Sequence, residues 1–153
     1  MISFDINGNL FPYDVIEQEW KEFMYWFTET IEDKRHRTRL LKKYEAYVHE
    51  VKKNFGAGFH QWVDGSFITQ KKKPGDIDVV TFLPYDLMVK KAIFVEKMRK
   101  TSKLKYNIDG FFAPTAKWNH RYFESCQREE KRWRDLFGTS RKGYPKGIIK
   151  LHF

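Results

Sequence analysis

The stretch FHQWVDGSFITQKKKPGDIDVVTFLP, residues 59–84, contains two apolar runs separated by a short basic loop. Residues 59–64 and 76–83 are rich in β-branched and aromatic side chains, and Pro74-Gly75 and a final proline delimit the second run. We therefore predict two strands, at 59–64 and at 76–83. The loop that joins them carries the residues that indicate a function.

Two carboxylates open the second of these strands. Side chains on a strand alternate between its faces, so Asp76 and Asp78 are expected to point to the same side. Like charges on one face repel unless a cation lies between them, and a hard divalent ion such as Mg²⁺ (or Mn²⁺) prefers oxygen ligands. The alternative is a tight hairpin whose aspartates face solvent. The strands and the turn around the pair favour the metal site.

The glycine-serine turn after the first strand is suited to an anion. Gly65 allows a tight turn, successive amide groups can form an anion-binding concavity, and the Ser66 hydroxyl adds a donor. A helical turn at 67–70 would strengthen this preference. Lys73, the last of three consecutive lysines, is predicted to bind phosphate, and the alternative is a solvated loop tip. Asp64 would repel phosphate and is interpreted as structural.

The motif resembles that of a known superfamily. Gly65-Ser66, a nine-residue spacer and Asp76-Ile77-Asp78 resemble the signature of the DNA polymerase beta-like nucleotidyltransferases. More specifically, the chain resembles small prokaryotic nucleotidyltransferase-like proteins, which share the motif and segments like 4–13 and 137–148. In the superfamily the glycine-serine pair binds phosphate, and a carboxylate pair with a third carboxylate binds two metal ions. The resemblance implies these roles for Gly65, Ser66, Asp76 and Asp78.

Asp109 is the best candidate for the third carboxylate. It lies in segment 104–112, where apolar and polar residues alternate as in a half-buried strand, and Pro114 is predicted to end that strand. The resemblance assigns Asp109 the roles of metal ligand and general base toward the acceptor hydroxyl. The alternative is a turn, because Asp-Gly is a common hairpin dipeptide. Asp86 is predicted instead to cap the following helix.

Two further basic segments are candidates for anion binding. The loop 139–147 recurs near the end of the small proteins that the chain resembles. The resemblance implies that its Arg141 and Lys146 close over nucleotide phosphates. The cluster Lys34-Arg35-His36-Arg37, with the basic residues up to Lys43, is interpreted as a solvated helix face. The alternative is a track for an acceptor RNA.

Composition limits the class of protein and of partner. The chain has 153 residues, which fit one domain, 1–153. Its net charge of +9 predicts a polyanionic partner. The alternative explanation of the charge is a soluble protein from an organism whose proteins are generally basic. Cys126 is the only cysteine, and the histidines show no ligand spacing, which argues against a disulfide framework and a zinc site. The sequence lacks a membrane span and a signal pattern, so we predict a cytoplasmic protein with no membrane partner.

The remaining periodicities predict an α+β fold with a mixed β-sheet and two N-terminal helices, and the resemblance implies that this sheet is a nucleotidyltransferase core flanked by helices. Residues 1–14 are predicted to be extended. Helices are predicted at 15–31, 34–54, 85–101 and 115–136, and strands at 59–64, 76–83, 104–112 and 148–153. Helices over one mixed sheet are compatible with the nucleotidyltransferase core that the resemblance implies.

These features predict a Mg²⁺-dependent nucleotidyltransferase that moves a nucleoside monophosphate from a nucleoside triphosphate to RNA, tRNA or a protein. The predicted catalytic residues and metal ligands are Asp76, Asp78 and Asp109. The predicted nucleotide-binding residues are Gly65, Ser66, Lys73, Arg141 and Lys146. Two alternatives stay open: a catalytically inactive nucleotide- or RNA-binding protein of the same fold, and an interaction protein of a toxin–antitoxin pair.

Overall fold

Seven strands form two sheets in the computed structural model, which describes residues 1–153. The strands are β1 (Ser3–Phe4), β2 (Leu10–Phe11), β3 (Val15–Glu17), β4 (His60–Asp64), β5 (Ile77–Pro84), β6 (Ile108–Thr115) and β7 (Ile148–His152). β1 and β2 form an antiparallel hairpin. The other five form one mixed sheet in the order β3-β7-β4-β5-β6, in which β4 is antiparallel to both neighbours and the two outer pairs are parallel.

Five α-helices accompany the sheets, so the predicted α+β class is confirmed. The helices are α1 (Trp20–Met24), α2 (Lys34–Phe55), α3 (Tyr85–Lys90), α4 (Ala92–Tyr106) and α5 (Phe123–Phe137). Residues 25–29 continue α1 as a π-helical turn, and residues 66–68 form a single 3₁₀ turn. None of the helices combines the length and the apolar character that a membrane span requires.

The central strand β5 separates two apolar cores, because its side chains alternate between the faces of the sheet. Ile77 and Val79 belong to a large core that also contains the apolar residues of α2 and α4. Val80 and Phe82 point to the opposite face and pack in a smaller core with α5. Asp78 therefore lies on the α5 face of the sheet, close to where β5 begins.

A buried chain of hydrogen bonds joins α2 to two of the central strands. Tyr44 Oη donates to Gln61 Oε1 (2.6 Å), and Gln61 Nε2 donates to Thr81 Oγ1 (2.9 Å). All three side chains are fully buried. Because an unpaired buried polar group costs ~1–3 kcal/mol, these bonds fix the position of α2 over β4 and β5 in addition to the apolar contacts.

The prediction of a helix at 15–31 is wrong over its first residues. Val15–Glu17 form β3, which pairs in parallel with β7, and helical structure begins only at Trp20. A strand of three residues at the edge of a sheet shows too little alternation to be distinguished from the start of an amphipathic helix. The next helix agrees closely: α2 extends one residue beyond the predicted 34–54.

The predicted helix at 85–101 and the strand after it differ from the structure at their boundaries. The helix is divided into α3 and α4 at Lys91. α4 runs further than predicted, to Tyr106, and Asn107 follows it in a left-handed conformation (φ 54°) that asparagine tolerates. β6 therefore begins later, at Ile108. Pro114 lies inside β6, because this is an edge strand in which a missing N–H does not interrupt the ladder.

The predicted helix at 115–136 begins too early. Residues 116–122 form turns and irregular structure, and α5 follows them and ends at Phe137, one residue beyond the predicted end. The predicted capping role of Asp86 is also wrong. Asp86 lies in the first turn of α3 without capping it, and its carboxylate contacts His120 Nε2 (3.3 Å).

His60 of β4 gives the fold a pH-dependent contribution. Its ring stacks on Phe82 with centroids 4.7 Å apart. Burial, followed by the positive charges of Lys150 and His152, lowers the pKa of His60 from 6.5 to about 4. The unfolded chain therefore binds a proton that the folded chain does not, and the stability present above pH 6.5 is lost as the pH falls toward 4. Between about pH 7 and 5 we expect a loss of ~1 kcal/mol, allowing for partial screening by solvent.

Urea denaturation at both pH values checks this prediction. His60→Gln removes the titrating group, so its free energy of unfolding should fall less on acidification than that of the wild type. His49→Gln changes an exposed histidine of α2 and should keep the wild-type pH dependence. An equal acid-induced loss in His60→Gln and the wild type would contradict the role of His60.

Candidate functional site

Three carboxylates lie side by side near the edge of the sheet where β5 and β6 begin and β4 ends. Asp64 of β4 is the register partner of Asp78, and Asp78 is the register partner of Asp109 of β6. Register partners point to the same face of a sheet, so the three side chains belong to the α5 face. The sequence alone does not indicate that Asp64 is part of this row, because the pairing of β4 with β5 creates the neighbourhood.

Asp78 carries a negative charge that nearby cations balance only in part. Burial, followed by the charges of Asp76 and Asp109, raises the pKa of Asp78 from 3.8 to about 6. Lys146 and Lys103 act in the opposite direction. A carboxyl group perturbed in this way would be stabilised in its ionised form by a bound cation. Perturbations of this kind are concentrated at functional sites.

Gly65 is required by the close approach of Asp78. Its φ is +79°, and a Cβ at this position would lie 1.8 Å from Asp78 Oδ2. Only a glycine satisfies both the left-handed conformation and the lack of space. The turn predicted to bind phosphate therefore packs directly against the carboxylate predicted to bind metal. Ser66 follows as the first residue of the 3₁₀ turn.

Arg37 of α2 holds the loop that follows this turn. Its side chain is fully buried. It donates to four carbonyl oxygens, those of Phe27 (3.2 Å), Phe67 (2.6 Å), Thr69 (2.8 Å) and Lys71 (2.5 Å). Burial lowers the pKa of Arg37 to about 10, so the guanidinium stays charged at neutral pH. The interpretation of the basic cluster as a solvated helix face is therefore wrong for this residue.

The far end of the loop is also attached to α2. His36 Nε2 lies 2.6 Å from Pro74 O. Lys43 donates to Asn107 Oδ1 (2.7 Å), and Asn107 Nδ2 donates to Gly75 O (3.3 Å). α2 thus fixes both ends of the segment that joins the glycine-serine turn to the Asp-x-Asp strand.

Lys146 forms a buried ion pair with Asp64. Its Nζ lies 2.8 and 2.9 Å from the two carboxylate oxygens, and the two side chains are only 9% and 7% exposed. Burial raises the pKa of Asp64, and Lys146 offsets part of that increase. Lys146, predicted to bind nucleotide, therefore lies at the site with its charge directed at a carboxylate.

Lys103 of α4 forms an ion pair with Asp76. The hydrogen bond to Asp76 raises the pKa of Lys103. In the sequence Lys103 is one of several lysines on an exposed helix face, and no feature distinguishes it from the others. Asp76 is thus paired, whereas Asp78 is not.

An open cavity of about 540 Å³ lies on the α5 face beside the carboxylates. Its walls come from the central strands, the end of α5 and the following loop: Asp64, Asp78, Phe111, Asp135, Leu136, Phe137, Thr139, Ser140, Arg141 and Lys146. Arg141, predicted to bind nucleotide, therefore faces the same space as Asp78. Lys73, also predicted to bind nucleotide, is directed elsewhere, since its Nζ lies 3.8 Å from Asp33 Oδ2.

The predicted metal ligands fit a cation by type and charge, but they do not form a finished site. No three histidine, cysteine, aspartate or glutamate side chains are arranged to hold a metal ion. Asp78 and Asp109 are neighbours in register, whereas Asp76 is engaged by Lys103. Carboxylate oxygens suit Mg²⁺ or Mn²⁺. Burial, followed by the charges of Asp76 and Asp109, raises the pKa of Asp78, and a bound cation would offset both effects. Full coordination would require Asp76 to leave Lys103.

Among the comparisons with known proteins, only the one with protein-family models found a match. A protein-family model described as "Family of unknown function (DUF6932)" matches residues 2–152. The comparison with curated proteins found no match, and the comparison with solved structures found none either. The family match extends over every residue of the candidate site.

Arg37→Lys is expected to lower the free energy of unfolding by ~2 kcal/mol or more, because one ammonium group cannot satisfy all the carbonyl oxygens that the guanidinium contacts. Arg35→Lys is the matched control: it makes the same change two residues away on the exposed side of α2, and should have an effect near zero. Urea denaturation of both variants measures the difference. Similar effects of the two substitutions would rule out the buried role of Arg37.

Gly65→Ala is expected to destabilise the protein more than Gly58→Ala. Both glycines have positive φ, but a Cβ at Gly58 meets nothing within 4 Å. Both variants therefore share a conformational cost of ~1–2 kcal/mol, and only Gly65→Ala adds the collision with Asp78. Adding Asp78→Ala should recover part of the extra loss, which thermal unfolding of the double variant would reveal. No recovery would mean that the collision is not with Asp78.

Proposed function

We propose that this chain, which belongs to the family DUF6932, is a metal-dependent nucleotidyltransferase. It would move a nucleoside monophosphate from a nucleoside triphosphate to a hydroxyl of RNA or of a protein, with pyrophosphate as the leaving group. The observation that carries the proposal is the contact between the glycine-serine turn and the carboxylate row. Gly65 packs against Asp78, and Asp78 is beside Asp109 in register. A phosphate site and a metal site would thus share one edge of the sheet.

Asp78 and Asp109 would hold the metal ions, and Asp76 would join them after leaving Lys103. Mg²⁺ or Mn²⁺ bound there supplies charge neutralisation for a triphosphate, which carries more negative charge than the surrounding side chains can balance. Asp109 would also accept the proton of the attacking hydroxyl. A general base must be within hydrogen-bond reach of that proton, and Asp109 is half-buried at the start of an edge strand, open to an incoming acceptor.

The nucleotide would occupy the cavity beside the carboxylates. Backbone amides at Gly65 and the Ser66 hydroxyl are suited to the phosphates, and Arg141 lines the same cavity. The half-buried ring of Phe111 and the side chain of Leu136 give the cavity an apolar wall on which a base could pack. Lys146 would act indirectly, because its bond to Asp64 holds the loop after α5 against the sheet.

A second candidate is a protein of the same fold that binds nucleotides without turning them over. The ion pair between Lys103 and Asp76 favours it, because this lysine occupies the carboxylate that a two-metal reaction would need. The lack of a ready three-ligand group favours it too. The two candidates share every residue of the site, so only turnover separates them.

Transfer of label from α-³²P-nucleoside triphosphates to total RNA and cell protein, with Mg²⁺ or Mn²⁺, tests the proposed activity. Wild type should transfer label, and the rate of Asp76→Asn/Asp78→Asn should be lower by about 100-fold or more. These carboxylates would hold the metal ions that stabilise the negative charge developed in the reaction. The variant should keep its fold, because it removes the repulsion between Asp78 and its neighbouring carboxylates. That gain offsets the loss of the partly exposed ion pair between Asp76 and Lys103.

Asp86→Asn is the control for the loss of a carboxylate. Asp86 is exposed and lies beyond the opposite end of β5, so this variant should keep full transfer. Binding of a nucleotide that depends on metal, without transfer, would replace the proposal by the second candidate. If neither transfer nor binding occurs, the proposed site is wrong.

A further inference from the structure

The exposed side of α2 carries a basic surface that the proposed site does not use. Side chains from its first turns line an open groove of about 610 Å³: Lys34, Arg35, Thr38, Arg39 and Lys42. No apolar residue lines this groove. We refer to these five residues as the α2 basic surface.

The charges of the α2 basic surface are largely uncompensated. Lys34 pairs with Glu29, but Arg35, Arg39 and Lys42 take part in no ion pair. The first acidic residue of α2 is Glu45, beyond the surface. Arg35, Arg39 and Lys42 are spaced i, i+4 and i+7, so they form one row along the helix. Three adjacent unpaired cations repel one another and would be stabilised by a bound polyanion.

The basic surface continues toward the carboxylate row. The lysines of the loop tip are exposed and lie beside the start of α2, since Lys72 pairs with Glu32 and Lys73 with Asp33. Lys103 stands at the far side of this loop, on Asp76. A flexible anionic chain on α2 could therefore pass over the loop tip, where the lysines offset Glu32 and Asp33, and reach the edge of the sheet.

We propose that the α2 basic surface binds the phosphodiester backbone of a nucleic acid whose end approaches Asp78 and Asp109. Arginine, lysine and hydroxyl side chains are the groups that contact phosphates. A protein partner fits less well, because interfaces between proteins centre on apolar and aromatic residues, which this groove lacks. A membrane surface also fits less well, because the apolar stripe of α2 is buried in the large core. That the nucleic acid is the acceptor rests on the proposed function, whereas the binding does not.

Fluorescence anisotropy with a labelled RNA of about 20 nucleotides, and with DNA of the same sequence, tests the binding. The measurements are made in EDTA and without nucleotide, so that they do not depend on catalysis. The variant Arg35→Gln/Arg39→Gln/Lys42→Gln should bind about 100-fold more weakly than wild type at about 100 mM KCl. Between about 50 and 200 mM KCl, the slope of the logarithm of the association constant against the logarithm of the salt concentration should be less negative by about 2 in the variant. Each lost phosphate contact contributes ~0.7 for a single strand.

Lys53→Gln/Lys90→Gln/Lys117→Gln is the matched control. It removes the same charge from three exposed positions away from the surface and should keep near wild-type affinity. Equal losses in the two triple variants would overturn the proposal, since net charge alone would then explain binding. No binding by wild type, or competition by polyglutamate as strong as by RNA, would also overturn it.

Two further comparisons separate this proposal from the proposed function. Asp76→Asn/Asp78→Asn should bind the RNA as wild type does, so failure of label transfer with intact binding would refute only the enzymatic proposal. Tighter binding of RNA than of DNA would identify RNA as the source of the backbone, and equal binding would support the shared phosphodiester chemistry. Loss of binding in the carboxylate variant would contradict a surface on α2.

Discussion

The candidate site depends on the hydrogen bonds that the buried guanidinium of Arg37 donates to backbone carbonyl groups. This arrangement is unusual, because a charged group that is buried away from water is normally paired with an opposite charge. Here four carbonyl dipoles surround it instead. The guanidinium carbon also lies 5.2 Å from the centroid of the Phe67 ring. Three of the four carbonyls belong to the loop after the glycine-serine turn. A residue of α2, outside the loop, therefore stabilises the conformation of that loop.

The opposite side of the same loop is held by the N-terminal hairpin. The C=O and N–H groups of a trans peptide point in opposite directions. Because Thr69 O is directed at Arg37, the amide of Gln70 points away from α2, and it donates to Gly8 O (3.0 Å). The loop is thus fixed between α2 and the turn of the β1–β2 hairpin. This arrangement explains why a segment with three consecutive lysines can keep a defined shape beside a row of carboxylates.

Strands and the order of motifs could be predicted from the sequence, because β4, β5 and α2 have clear periodicity. The buried contacts of the site could not be predicted as easily. Arg37 had a detectable signal: it precedes Leu41 and Tyr44 by four and seven positions, which places it on the apolar stripe of α2. Lys103 had none, because its role depends on how α4 packs near the start of β5.

The buried ion pair of Lys146 with Asp64 could not be predicted from the sequence either. A lysine in a glycine-rich loop is ordinarily exposed, and the sequence of the loop carries no indication of burial. The loop returns from α5 to β7, and β7 pairs with β4, so the end of β4 and the start of β7 are neighbours. Asp64 and Lys146 meet there only because of that pairing. A long-range sheet contact of this kind is not encoded in any local pattern.

The two sides of α2 connect the loop to the surface of the protein. Arg37 points inward, whereas Arg35 and Arg39, two residues away in each direction, differ from it by about 200° around the helix axis and point outward. One rigid helical turn therefore carries both the residue that fixes the glycine-serine loop and the cations of the α2 basic surface. A ligand bound on the outer side could not shift this turn without moving the carbonyl contacts of the loop. Because His36 also contacts Pro74 at the far end of the loop, α2 supports the loop at both ends with its inner side while its outer side presents the α2 basic surface to solvent.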